Sequence, residues 1–206
     1  MEASRHKKGR ILVFLEDGAC LKITEQELLD FGFRSGDELD TKTLERLREA
    51  AGISNTRAAA ADLIGKRAMS RRDLERKLQE KGASEADARY AADWLEAIGA
   101  INDAEYGAAL VRHYGGMGYG PARIKEKLYE KGVPRELWEE ALEELPENSG
   151  QIDAFLASKL RGRAPDEKEK RRLTNALLRR GFGWDEVRAA WGRLGNEAGE
   201  DILDDL

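Results

Sequence analysis

The sequence holds one cysteine, two histidines and four prolines in 206 residues, and only 7% of it is aromatic. With Cys20 alone, no internal disulfide can form, which points to a reducing, cytoplasmic compartment. Met1 to Arg10 is basic, but Ile11 to Leu15 is too brief for the apolar core of a secretory signal. No stretch approaches the ~18 uncharged apolar residues of a membrane-spanning helix. The longest apolar runs, Ile11 to Leu15 and Ala58 to Ala61, fall far short.

Catalytic residue types are equally sparse. His6 lies in the N-terminal stretch, and His113 reads as a partly buried residue of a predicted helix. Cys20 reads as a small buried hydrophobe. No phosphate-loop, HExxH or CxxC pattern occurs. Gly115-Gly116-Met117-Gly118-Tyr119-Gly120 precedes a predicted helix and could cradle a phosphate at its N-terminus. No strand leads into it and no Lys-Ser/Thr closes it, so it reads as a flexible inter-helix loop. The acidic run Glu136 to Glu147 reads as a solvated helix face rather than a metal site. The expectation is a protein without catalytic residues, cofactor or metal: not an enzyme.

Charge is abundant. Asp, Glu, Lys and Arg make up 36% of the chain, against roughly 25% in typical domains. Thirty-five bases against forty acids give a net charge of −5, which argues against simple electrostatic coating of nucleic acid. Apolar residues make up 41% and recur through almost the whole length, enough for several small cores.

The first fifty residues predict a β-hairpin and short helices. Arg10 to Leu15 is strand-like, Asp17-Gly18 is a hairpin turn signal, and Cys20 to Ile23 is a return strand. Cys20 and Lys22 fall on one face, Leu21 and Ile23 on the other. Thr24-x-x-Glu27 is a capping box that opens a helix. Thr41 opens another with Leu44 and Leu47, expected to close near Gly52.

From about residue 57 the chain is helical and repeats. Lys81-Gly82, Lys131-Gly132 and Arg180-Gly181 are spaced by 50 and 49 residues. Eight and four residues before each glycine stand Leu74 and Leu78, Ile124 and Leu128, and Leu173 and Leu177. Six, nine, ten and thirteen after it stand Ala88, Ala91, Ala92 and Leu95; then Trp138, Ala141, Leu142 and Leu145; then Val187, Ala190, Trp191 and Leu194. The first pair shares one helix face, and the four that follow form the stripe of a second helix. The glycine suits the left-handed residue that ends the earlier helix. Ser70 and Ser84 read as N-caps, and Pro121 and Pro134 suit first helical turns. An earlier helix precedes each pair, roughly Arg57 to Arg67, Asp103 to Tyr114 and Ile152 to Leu160.

The fold expected is therefore mostly α: tandem three-helix repeats in an elongated curved array, with a small N-terminal β-hairpin/helix unit. The expected boundaries are 1–56 for the N-terminal unit, 57–101, 102–147 and 148–195 for the repeats, and 196–206 for an acidic, frayed tail.

Charge is unevenly placed. Lys66 to Lys81 carries seven bases and three acids, and Lys159 to Gly181 carries nine and three. The register of Arg72 is Ala122 in the second copy and Arg171 in the third, so the copies share a core but not a surface. One reading is ordinary solvated helices. The other is that the first and third modules present basic faces to a polyanion or an acidic protein surface. The candidate contact residues are Lys66, Arg67, Arg71, Arg72, Arg76, Arg123, Lys159, Arg161, Arg163, Arg171, Arg172 and Arg179. Three-helix modules also resemble helix-turn-helix units, which keeps a DNA-binding protein or transcription factor as the alternative.

Ala68-Met-Ser-Arg-Arg-Asp-Leu-Glu-Arg-Lys-Leu-Gln-Glu-Lys-Gly82 resembles the first-repeat signature of the RecX recombination regulators. Trp94-Leu-Glu-Ala-Ile-Gly-Ala-Ile-Asn-Asp-Ala-Glu-Tyr106 resembles that family's next segment. Gly120-Pro-Ala-Arg-Ile-Lys-Glu-Lys-Leu-Tyr-Glu-Lys-Gly-Val133 resembles its second repeat, and Arg179-Arg-Gly-Phe182 the third. The resemblance covers residues 57 to 194. It implies an elongated array of three-helix repeats that lies in the groove of the RecA–single-stranded DNA filament. It further implies inhibition of the recombinase's ATP hydrolysis, strand exchange and coprotease activities. The expected partner is thus the RecA filament, with single-stranded DNA reached through it or weakly and directly. The chain is expected to be monomeric, with no membrane partner.

Overall fold

The computed structural model describes residues 1–4, 9–145 and 148–200. His6, Pro146, Glu147 and the last part of the expected tail, residues 201–206, lie outside them. The chain forms two compact units, Met1–Asn102 and Asp103–Leu206.

The first unit opens with an antiparallel three-stranded sheet in the order β1 (Glu2–Ala3), β2 (Arg10–Phe14), β3 (Cys20–Thr24). The β2–β3 hairpin has the expected register, with Ile11 opposite Ile23 and Phe14 opposite Cys20. The strand β1 was not foreseen: two residues are too few to carry an alternation signal. Val13 and Ile23 are buried while Cys20 and Lys22 face solvent. Cys20 is therefore exposed, not a buried hydrophobe, because the alternation that buries Ile23 turns its side chain to the other face. Thr24 caps α1 (Glu25–Phe31) in a complete capping box: its hydroxyl accepts from the Glu27 N–H, and the Glu27 carboxylate accepts from the Thr24 N–H at 2.7 Å.

The largest departure from expectation is α2. It runs unbroken from Thr41 to Lys66, through Gly52 and across the boundary expected at 56/57. A glycine inside a helix costs only about 1 kcal/mol, and the buried stripe Leu47, Ala51, Thr56, Ala60 continues past it. Its first half packs with Val13, Ile23 and Phe33. Its second half is the first helix of the first module, packed with α3 (Arg71–Glu80) and α4 (Glu85–Ala97) around Leu74, Leu78, Ala88 and Leu95. One helix thus serves two cores.

The second unit holds α5 (Asp103–Gly116), α6 (Pro121–Glu130), a 3-10 turn Arg135–Leu137, α7 (Trp138–Leu142), α8 (Asn148–Leu160), α9 (Glu167–Arg179) and α10 (Trp184–Glu200). Helices α5 to α7 enclose Val111, Ile124, Leu128, Val133 and Ala141. Helices α8 to α10 enclose Ile152, Leu156, Leu173, Leu177 and Val187. Pro121 takes the first helical position of α6, whereas Pro134 stands one residue before the 3-10 turn. The helix α10 continues to Glu200, into the segment expected to be tail.

The repeat is borne out residue by residue. None of the six apolar registers is exposed in any of the three modules. Gly82, Gly132 and Gly181 take φ of 94°, 75° and 91°, the left-handed stop that a side chain resists. Ser70 and Ser84 cap α3 and α4, each accepting from the N–H three residues on. The half-buried indoles find acceptors: Trp138 donates to the Val133 carbonyl and Trp191 to the Thr174 hydroxyl, both at 2.9 Å.

The glycine-rich stretch is not the flexible loop that its composition suggested. Gly115 and Gly116 belong to the last turn of α5, and a Cβ on Gly115 would lie 3.2 Å from Leu145. The Gly120 N–H donates to the Arg180 carbonyl at 2.8 Å, and the Ala122 N–H to the Gly181 carbonyl at 3.1 Å. Donors at the start of α6 thereby meet acceptors just past the end of α9, each supplying what the other helix end lacks. A Cβ on Gly120 would sit 2.5 Å from the Gly181 and Phe182 backbone. Two of the N–H groups at the start of α6 are thus occupied by this joint between the second and third modules rather than open to a phosphate.

Candidate interaction surface

The basic segment of the first module is largely answered by its own acids. Arg71, at the first position of α3, bonds Glu75 on the same helix (Nε to Oε1, 3.0 Å) and reaches Asp93 and Glu96 on α4. Its side chain is only 28% exposed. Burial alone would lower its pKa, but the hydrogen bonds to Asp93 and Glu96 outweigh that and raise it. Arg71 is a brace between two helices. Asp73, itself nearly buried, gathers Arg76, Lys77 at 3.6 Å and Arg67 at 3.9 Å. Arg76 also pairs with Glu80, and Lys66 with Asp62 at 2.8 Å. Arg72 is exposed and forms no ion pair among the described residues.

In the second module, Arg123 pairs with Glu126, the contact that raises its pKa. Its backbone lies against Gly181, so this residue belongs to the joint between modules. The acidic run has the expected exposure from Glu136 to Glu144, with Arg112 bonding Glu144 at 3.1 Å. Glu147 lies outside the described residues. His113 is exposed rather than partly buried, since the core stripe of α5 passes through Gly107, Val111 and Gly115.

In the third module fewer of the bases are answered by acids. Lys159 stands in the last turn of α8 with its ammonium 5.8 Å from the Phe155 ring centroid. Arg161 closes that helix with a φ of 50°, a conformation uncommon for a residue with a side chain. Arg163 and Arg172 both bond Glu169, at 2.8 and 3.3 Å. Lys168, Arg171, Arg172, Asn175 and Arg179 stand at i, i+3, i+4, i+7 and i+11 along α9, a single face. All five are exposed, opposite the buried Leu173 and Leu177. Lys168, Arg171 and Arg179 form no ion pair among the described residues. Lys168 was not among the candidates; its signal is its place three residues before Arg171. Arg180 instead turns toward Phe155 (4.7 Å from the ring centroid) and donates to the Gly118 carbonyl at 3.4 Å.

Among the described residues there is no cluster of three or more His, Cys, Asp or Glu arranged for a metal ion. No helix among them is long and apolar enough to cross a membrane.

A short sheet, three-helix modules with a common core register and surfaces that differ from module to module define a tandem three-helix protein. The family models for the second and third three-helix domains of RecX match residues 102–142 and 151–191. The regulatory protein RecX of Pseudomonas putida strain F1 is 36% identical over 140 residues, 67% of this chain and 87% of the relative. That of Pseudomonas entomophila is 31% identical over 150 residues, 72% and 93% of the two chains. The crystal structure of RecX from Lactobacillus salivarius superposes with a TM-score of 0.65 at 25% identity, covering 71% of this chain and 98% of that one. A second crystal structure of a regulatory protein RecX matches at a TM-score of 0.70 and 22% identity, over 93% of this chain and 96% of the other. The chain belongs to the RecX family of regulatory proteins.

Proposed function

We propose that this protein binds the filament that the RecA recombinase forms on single-stranded DNA, and that it damps the filament's ATP hydrolysis, strand exchange and coprotease activity. It acts by binding alone, as a cytoplasmic monomer without cofactor. The observation that carries the reading is the cationic face of α9, Lys168, Arg171, Arg172 and Arg179, extended by Lys159, Arg161 and Arg163 ahead of it. Family membership supplies the context. Clustered Arg and Lys give salt-sensitive attraction to phosphates or acidic protein without reading bases. Several modules on one chain can engage successive subunits of a repeating polymer, so that weak contacts multiply.

The test is RecA ATPase activity on single-stranded DNA with the protein added. The expected result is dose-dependent inhibition that weakens as salt rises. No change at saturating protein overturns the proposal. The alternative, a duplex-reading DNA-binding protein, requires sequence preference in a gel-shift assay without recombinase present.

A further inference from the structure

In the Met1–Asn102 unit, Arg10, Glu27, Ile53, Arg57, Ala58 and Trp94 line a cleft of about 530 Å3. Its charged groups differ in how well they are answered. Arg10 gives both terminal nitrogens to Ser54, at 2.8 Å to the hydroxyl and 2.8 Å to the carbonyl. Glu27 is committed to the cap of α1, accepting from the Thr24 N–H at 2.7 Å.

Arg57 has no such partner. Its guanidinium carbon lies 4.8 Å from the Trp94 ring centroid and 5.1 Å from that of Tyr90. Its Nε is buried and has no hydrogen-bond partner, and no ion pair reaches the group among the described residues. The two rings hold the cation in place through their π faces but do not neutralise it. A half-buried cation without a counter-charge is unfavourable, and an arriving anion would relieve it. A guanidinium fork suits a carboxylate best, with two parallel N–H donors for two oxygens.

The remaining wall selects among anions. It is made largely of apolar carbon, with Ile53, Ala58 and the Trp94 ring beside Arg57. A nucleic-acid strand calls for cations repeated along a groove. Here one free arginine stands alone, and the cleft also presents the Glu27 carboxylate.

We propose that this cleft docks a short acidic-apolar segment of a partner protein. One Asp or Glu of the segment pairs with Arg57, and an adjacent aliphatic or aromatic side chain lies against Ile53 and Trp94. The inference is independent of the filament reading, because the cleft uses none of the residues proposed for that contact.

The experiment is selection of a displayed random dodecapeptide library on the immobilised full-length chain. The best peptide is then titrated against the chain by fluorescence anisotropy. Enriched sequences are expected to place Asp or Glu beside an apolar residue. Affinity should fall about tenfold or more in Arg57→Gln, and equally when the peptide's carboxylate is replaced by its amide. Arg57→Lys should retain part of the binding. Should Arg57→Gln fail to fold, the carboxylate-to-amide exchange in the peptide decides alone, since it leaves the protein untouched. The proposal is overturned if no sequence is enriched, if enriched peptides lack a carboxylate, if the amide peptide binds equally well, or if oligothymidylate displaces the peptide.

Discussion

Arg71 and Arg72 are neighbours in sequence with opposite roles. Arg71 turns back across α3 to the carboxylates of Glu75, Asp93 and Glu96, while Arg72 points to solvent and pairs with nothing among the described residues. Removing Arg71 leaves three carboxylates facing one another. Arg71→Met should therefore lower stability by roughly 1–2 kcal/mol, measured by urea unfolding at neutral pH. Reversing Arg72 together with Arg171 and Arg179 should change stability by less than about 0.5 kcal/mol for each surface site. If the proposed contact holds, the same triple variant should need about tenfold or more protein to inhibit RecA ATPase, read from the inhibition curve. The two outcomes separate a charge that braces the fold from charges available to a partner.

At the scale of the element, caps and stops were legible because they depend on residues within one turn. Ser70 is fully buried, and its hydroxyl accepts the Asp73 N–H at 3.1 Å. Ser70→Ala should cost about 1 kcal/mol in thermal or urea unfolding. Asp40 caps α2, and its pKa is lowered by the backbone N–H of Thr43 first and by the Thr43 hydroxyl second. A carboxylate whose folded pKa lies below its unfolded value of 3.8 adds stability above that value and loses it as pH falls through the folded one. Asp40→Asn keeps a neutral cap and should remove this share of the acid transition, which is followed by far-ultraviolet circular dichroism from pH 5 downward. The end of α2 was misplaced for a related reason. Gly52 looks like a stop by composition, but a stop needs a left-handed backbone, and Gly52 is not among the glycines with positive φ.

For the whole molecule, the joint inside the second unit gives the sharpest comparison. Gly82 and Gly181 occupy the same register and nearly the same conformation, φ 94° and 91°. A Cβ on Gly82 would meet nothing within 4 Å, whereas one on Gly181 would strike the backbone of Arg123. Gly82→Ala should therefore cost only the left-handed strain, roughly 1–2 kcal/mol. Gly181→Ala adds the collision and should also uncouple the second module from the third. Calorimetry should show that difference as a larger fall in Tm and a broader or split transition. Equal effects of the two substitutions would mean that the joint contributes no coupling.

The sequence by itself determined the two helices on either side of each glycine stop, because a helix's apolar stripe, its cap and its stop are all set by neighbours within a few residues. It placed all six core registers in three copies and carried the family resemblance. It also listed every base of the α9 face except Lys168, since a helix face is a matter of spacing. Only the tertiary structure decided which arginines are spent and which are free. Arg71 meets Asp93 across two helices, Gly120 meets Arg180 across two modules, and Arg57 is held by Tyr90 and Trp94 of a different helix. Such pairings join residues at separations that no local pattern encodes, and they arise only once the packed cores have fixed where each surface lies.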